Sequence, residues 1–372
     1  MSPLRTTPRS ELVTPRRERD KRPGPEARDQ WPFRPIGQSG DVRVGPVLAI
    51  PGVLQQLQVQ PSSAFELAKV DPETFAHPDN RVSIERMGRL LDACVRLTGC
   101  QHFGLLVGMQ FKLSDLGPLG DLMLHSQTVD EAIHQLLLHL HWQDRAAAAL
   151  LLRDDGQNAL LGYSLYHNRT QSIAQIYDTV TAITFRILQA VCGESWQAHH
   201  VQLAHRRPRN VAPYRQLFHA HVKFDAKISG IAFPATDLGR EIATANAAIR
   251  DRLLESVEAI EQLELMSYRE RVERILHQVI WSGDFSIDAV ARALRVQERT
   301  LRRRLADEGV NFRQILIETR GELAAQLLEN SNLPVASIAA VLRYDDPTAF
   351  ARAFRAWSGI SPAGWRKESR KL

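Results

Sequence analysis

Residues 337–366 read SIAAVLRYDDPTAFARAFRAWSGISPAGWR. Val335, Ile338, Ala339 and Leu342 recur at helical spacing. Asp346 and Pro347 then supply a cap and a first helical residue, and Phe350 and Phe354 mark the inner face of a second helix that stops at Gly359 and Pro362. Two short helices joined by a tight polar turn are the layout of a helix-turn-helix, whose second helix enters the DNA major groove. On that helix Thr348, Ala351 and Arg352 are the outward candidates for base or backbone contact. Arg355 is placed to meet phosphate, and Trp365 reads as packing.

The same layout occurs once more upstream. Ser286 caps an apolar helix over 287–294 with small Ala291 at its crossing point, residues 295–297 form the turn, and a second helix runs over 298–308 to Gly309. Leu301 and Leu305 face inward, which leaves Arg299, Arg302 and Arg303 on the exposed side. A guanidinium can give two parallel hydrogen bonds to guanine O6 and N7 or clasp a phosphate, so this face carries the DNA-reading chemistry. Arg304 points elsewhere, toward a phosphate or a neighbouring acid. A helix over 312–329 joins the two units, and another, with Val272, Ile275, Leu276 and Val279 inward, precedes the first.

The segment ARALRVQERTLRRRLADEG, residues 291–309, followed by the opening stretch resembles the duplicated helix-turn-helix domain of the AraC family of bacterial transcription regulators. Ile338, Ala339, Phe350, Arg352, Ala353, Phe354, Gly359, Ser361 and Pro362 carry the resemblance at fixed spacings. Residues 116–133 and 214–234, LGPLGDLMLHSQTVDEAI and YRQLFHAHVKFDAKISGIAFP, resemble more weakly the sensing-type N-terminal domain of one branch of that family. The resemblance implies a DNA-binding regulator that acts as an activator through RNA polymerase, responds to a small-molecule effector and works as a homodimer. Where the family has Gly this chain has Arg343. A left-handed turn there would strain a residue with a Cβ by roughly 1 kcal/mol and add a candidate phosphate contact.

Charge agrees with this reading. The 372 residues carry a net charge of +5, and residues 269–372 alone hold 18 Lys or Arg against 13 Asp or Glu. The entire basic excess therefore sits with the two helix-turn-helix patterns, as a polyanion partner requires. No apolar run is long enough to span a membrane and no signal-peptide core is present, so a cytoplasmic protein is expected.

Residues 1–45, with seven prolines before Gln38 and mixed charges, read as a disordered tail. Residues 46–246 change to the composition of a folded domain. Ser83 caps a helix through Met87, Leu90, Leu91 and Cys94, residues 102–108 read as a glycine-bearing apolar helix or close-packed turn, and Thr128 caps a helix toward Trp142. Two strand-like runs over 146–152 and 159–166 are joined by Asp154-Asp155-Gly156 as a hairpin. A long helix over 171–191 and short strands near 200–204, 222–224 and 229–233 follow. The fold class expected is an α+β sensing or dimerisation domain, then a linker helix over 247–267, then an all-α DNA-binding domain over 268–372. Val257, Ile260, Leu263 and Leu265 form a possible dimer seam on the linker.

The histidines lack metal-ligand spacing and read as surface or core-lining residues; no metal and no cofactor are expected. Cys94, Cys100 and Cys192 form neither a disulfide framework nor a reactive motif. A DNA-repair alkyl-transfer enzyme, a class in which related DNA-binding domains also occur, is therefore disfavoured, and a non-enzymatic regulator is preferred. A ligand-independent architectural DNA-binding protein is the other alternative.

Overall fold

Apolar spacing and capping residues lay out the chain much as its sequence leads one to expect. The computed structural model describes residues 40–153, 157–165, 172–263, 266–280, 285–294 and 296–369, with the backbone alone over 256–263. Strand β1 (Asp41–Arg43) pairs antiparallel with β2 (Arg81–Ser83), and between them lie α1 (Ile50–Gln56) and α2 (Pro61–Ala68). Then come α3 (Ile84–Thr98), α4 (Phe103–Met109), α5 (Pro118–Leu124) and α6 (Val129–His139). Strands β3 (Ala147–Arg153) and β4 (Asn158–Leu165) lead to α7 (Ile173–Cys192), β5 (His200–Gln202), α8 (Ala212–Phe218), β6 (His221–Lys223) and β7 (Ser229–Pro234). The rest is helical: α9 (Ala247–Leu263), α10 (Tyr268–Val279), α11 (Ile287–Ala293), α12 (Glu298–Asp307), α13 (Phe312–Asn330), α14 (Val335–Val341), α15 (Pro347–Ser358) and α16 (Pro362–Ser369).

The five-stranded sheet has the order β3-β4-β7-β5-β6, antiparallel except for the β5–β6 pair. The expected hairpin is present in the register Ala149↔Tyr163 and Leu151↔Leu161; its Asp154-Asp155-Gly156 turn lies outside the described residues. Because side chains alternate across a strand, Ala149, Leu161 and Tyr163 share one face and Leu150, Leu160 and Ser164 the other. Helix α7 packs with the first set. Its other flank receives α4, where Cβ atoms at Gly104 and Gly108 would come within 2.3 Å of the Gln175 and Thr179 carbonyl oxygens. Residues 102–108 are thus a helix whose glycines let two backbones touch.

The sequence places a tail over residues 1–45, and the fold begins earlier than that. Asp41–Arg43 is a sheet strand, Val44 is fully buried, and the Arg43 guanidinium is buried in an ion pair with Asp79 at 2.7 Å. Polar composition hid this, because burying an arginine depends on a carboxylate 36 residues away. Residues 1–39 lie outside the described residues, as do the helix stop at 282–284 and the side chains of the expected seam at Val257, Ile260, Leu263 and Leu265.

Among the histidines, His139 is buried and stacks on Trp142 with ring centroids 4.5 Å apart; burial, then His141 and Arg274, push its pKa down to about 3. His205 is more than a core-lining residue. Its Nε2 lies 2.9 Å from Asp178 Oδ1 and its Nδ1 2.9 Å from the Arg206 carbonyl, so both ring nitrogens face acceptors. Burial opposes charge there, but the Asp178 carboxylate outweighs it and raises the pKa. No group of three or more His, Cys, Asp or Glu among the described residues could hold a metal ion, and no described helix is long and apolar enough to cross a membrane.

The helical part has two cores. Val272, Leu276, Val290, Leu301, Leu305 and Ile315 form the first, and Leu323, Leu328, Ile338, Leu342, Phe350 and Phe354 belong to the second. Helix α13 enters both. At its middle Glu322 and Glu318 approach Glu273 of α10, with Arg269 paired to Glu318 at 2.6 Å. Burial, then Glu273 and Glu318, push the Glu322 carboxyl up to about 8, and its Oε2 is buried without a hydrogen-bond partner among the described residues. Below about pH 4.5 Glu322 is protonated in both folded and unfolded chains. Between there and about 8 the unfolded chain loses a proton that the folded chain keeps, so folding weakens as pH rises. Glu322→Gln removes this contribution: the variant gains stability over wild type across that window, on the order of 1–2 kcal/mol by its upper end, measured as denaturant midpoints at pH 5, 6.5 and 8. Equal pH slopes for the two proteins would refute the assignment.

Candidate nucleic-acid interface

Each helix-turn-helix unit is built by local rules. Ser286 accepts a hydrogen bond from the Ala289 N–H at 3.1 Å and starts α11, and Asn311 accepts from the Gln314 N–H at 2.9 Å and starts α13. Asp346 accepts from the Thr348 and Ala349 N–H groups at 2.6 and 2.8 Å and starts α15, with Pro347 in its first turn. These backbone donors hold the Asp346 carboxyl below the usual range.

Helix α12 buries Leu301 and Leu305 and exposes Arg299, Arg302 and Arg303, so hydrophobic anchoring turns the arginine face outward. Arg302 spans one turn to Glu298 with contacts of 2.8 and 2.7 Å. An exposed pair of this kind is worth at most about 1 kcal/mol, little enough to yield to a base or phosphate. Arg299, Arg303 and Arg355 are exposed and have no ion pair among the described residues. The Arg304 guanidinium lies 5.5 Å from the ring centroid of Tyr268, a cation–π contact tying α12 to α10, and has no ion pair among the described residues. Residue spacing does not show this contact, because Tyr268 is over thirty residues away.

On α15, Phe350 and Phe354 are buried and Thr348, Arg352 and Arg355 are exposed, whereas Ala351 is only half exposed. Trp365 packs: its ring meets Phe354 edge-on at 5.6 Å and its Nε1 donates to Glu329 at 2.8 Å.

The turn between α14 and α15 carries the strain expected of it. Arg343 has φ +57°, and the Tyr344 N–H reaches back to the Ala339 carbonyl at 3.0 Å, the six-residue closure of a helix end whose penultimate position is left-handed. The exposed Arg343 side chain stands where glycine would be free of strain.

What fixes the two units against each other is α13, which at 19 residues is about 28 Å long. Arg320 at its centre lies 4.1 Å from the Phe285 ring centroid and 5.1 Å from that of Tyr344, clamping one residue from each unit. At the next residue, a Cβ on Gly321 would fall 2.4 Å from the Trp357 indole, so the ring of α15 lies directly against the α13 backbone. Neither contact is visible in residue spacing.

The three cysteines have no nucleophilic environment. Burial pushes the Cys94 and Cys192 thiols up to about 12 and raises that of Cys100, away from a reactive thiolate.

A helical region with two helix-turn-helix units and outward arginines behind an α+β domain defines a two-domain DNA-binding regulator. Residues 59–242 match the arabinose-binding N-terminal domain of AraC transcription regulators, and residues 290–368 match a helix-turn-helix domain. The ornithine utilization regulator of Pseudomonas aeruginosa is 28% identical over 86% of this chain and 94% of its own length. The regulator VqsM of the same species is 29% identical over 71% and 83%. The crystal structure of the transcriptional regulator CdpR from Pseudomonas aeruginosa aligns with a TM-score of 0.41 at 25% identity, covering 85% of this chain and 98% of that one. The chain belongs to the AraC family: it is a DNA-binding transcription regulator with a ligand-binding type of N-terminal domain, and not an enzyme.

Relief of the left-handed strain at Arg343 has a measurable size. Arg343→Gly should raise stability by up to about 1 kcal/mol, the strain relief being partly offset by the greater freedom of glycine in the unfolded chain. Chemical denaturation of the two proteins at one pH checks it; a destabilised Arg343→Gly variant would remove the strain argument.

Proposed function

We propose that this chain is a cytoplasmic, homodimeric activator that binds promoter DNA through residues 268–372, recruits RNA polymerase, and answers a small-molecule effector held by residues 46–246, with 247–267 as linker. The observation that carries the DNA part is the pair of exposed basic helix faces, Arg299, Arg302 and Arg303 on α12 and Thr348, Ala351, Arg352 and Arg355 on α15, fixed on one clamped helix. Two recognition helices fixed on one rigid helix suit successive major-groove segments on one side of a duplex. Arg299, Arg302 and Arg303 take the base-reading role, and Arg343 and Arg355 contact phosphate.

A mainly apolar cavity in the N-terminal part supports the effector reading over a ligand-independent architectural role. The name of one relative, a regulator of ornithine utilization, fits a response to a metabolite. Two exposed reading helices on one chain allow a monomer to read an asymmetric site and a dimer to read two such sites in repeat.

DNA binding separates the roles. Arg302→Ala or Arg303→Ala weakens specific binding by about 1–3 kcal/mol and relaxes preference at one base position. Arg355→Ala weakens binding to every sequence alike and lowers the salt slope by about one. Fluorescence anisotropy across a salt series on in vitro selected DNA reads both, and unchanged affinity and preference in the Arg302 and Arg303 variants would remove α12 from the reading role.

A further inference from the structure

A cavity of about 100 Å³ lies between α7, the β3–β4 hairpin, α3 and α6, walled by Val47, Met87, Leu91, Leu136, Leu161 and Ile183. We propose that it holds an uncharged, mainly hydrocarbon molecule, and that the helix-turn-helix half senses its occupancy through Tyr163, Tyr177 and Gln326. This rests on the effector reading above and gives it a chemical class and a route.

The class follows from the polar groups at the cavity wall, which are already engaged. Arg43 is held by Asp79 at 2.7 Å and by Gln143 Oε1 at 3.0 Å. Gln143 Nε2 donates to the Leu116 carbonyl at 2.8 Å. The Thr179 and Thr184 hydroxyls donate to the carbonyls of Gln175 and Val180, both at 2.8 Å, and the Tyr163 hydroxyl donates to Asp144. Each hydroxyl of an entering sugar would lose its water without finding a free donor in the wall to replace it. A carboxylate finds its one cation among the described lining residues, Arg43, neutralised by Asp79, and an ammonium group finds the one lining carboxylate beside that pair, Asp144, already accepting from the Tyr163 hydroxyl and the Ala146 N–H. A space of this size, well below the ~300 Å³ of a drug-sized site, admits a short alkyl chain or a single ring. The lining therefore suits neither arabinose, for which the matching domain is described, nor ornithine.

The route follows from shared walls. The segments that line the cavity also anchor the helical half. Tyr163 meets Tyr177 edge-on, with centroids 6.3 Å apart. The Tyr177 hydroxyl donates to Gln326 Oε1 at 3.2 Å, and Gln326 Nε2 donates to the Leu165 carbonyl on β4 at 2.8 Å. Gln326 is buried on α13, the helix that fixes the two reading units. On the other side, Gln278 of α10 donates to the carbonyls of Leu137 and Ala149 at 3.1 and 3.2 Å, and Ser164 lies 3.2 Å from His277. A molecule that swells the cavity pushes β3, β4 and α6 where α10 and α13 hold on, and so changes how the reading units are held.

The test uses the full-length protein with 1-hexanol and benzyl alcohol as probes, hexanoate as the charged counterpart, and L-arabinose and L-ornithine as polar counterparts. The two alcohols should raise the melting temperature by about 2–4 °C at saturation and change affinity for selected DNA at least five-fold, while the other three do neither. Ala149→Leu, or the milder Val180→Leu, narrows the cavity and should abolish the alcohol response with DNA binding intact. Tyr177→Phe and Gln326→Leu should still bind the alcohols, with the change in DNA affinity reduced to less than two-fold. Binding of arabinose, ornithine or hexanoate in place of the alcohols overturns the chemical class and leaves the effector reading standing. Alcohol binding without an effect on wild-type DNA affinity, or with the effect intact in both relay variants, overturns the route alone. If none of the five compounds binds, the class and the cavity's role as an effector site fall together.

Discussion

Helix α13 is the member on which the molecule depends. It contributes Ile315 to the first helix-turn-helix core, Leu323 and Leu328 to the second, and Gln326 to the contact with the sheet domain. Its geometry is over-determined at the middle, where Arg320 is held between Phe285 and Tyr344 and Gly321 lies against Trp357. A helix that serves three packing surfaces cannot shift for one without disturbing the others, because close-packed interiors tolerate little local displacement. That property suits a part that holds two helix-turn-helix units at a fixed spacing.

The same helix explains where polar groups are tolerated in the interior. Gln326 is buried with both ends of its amide hydrogen-bonded, one to Tyr177 and one to Leu165. The Arg206 side chain caps the far end of α13 through the Glu329 carbonyl, and Asp225 accepts from the Asn332 N–H just beyond it, at 2.7 Å. These are directional contacts between two parts of the chain, and they specify one docking arrangement where a purely apolar surface would allow several. The half-buried Glu322, by contrast, has a buried Oε2 without a hydrogen-bond partner among the described residues, and burial beside Glu273 and Glu318 raises its pKa.

Much of the candidate site was legible because it is governed by neighbours in sequence. Ser286, Asn311 and Asp346 cap the helices that follow them, and Leu301, Leu305, Phe350 and Phe354 point inward at helical spacing. The exposed arginines of α12 are what remains on the other face. The strand pairing of the hairpin was equally local, since alternation and a short connection set it. Arg343 was readable too: a helix ending in the six-residue closure needs a left-handed residue, whatever side chain occupies it.

The amino-acid sequence by itself determined the elements, the duplicated helix-turn-helix unit, the outward arginines and the family. Each of these rests on interactions within a few residues or on a pattern of fixed spacing. Only the tertiary structure decided that Arg304 stacks on Tyr268, that Asp41–Arg43 belongs to the fold, and that Arg320 clamps the two units. It also decided that the walls of the N-terminal cavity are the anchor points of the helical half. Those contacts join residues tens to more than a hundred positions apart. Their free energy comes from burial and from pairing polar groups away from water, which no local periodicity encodes.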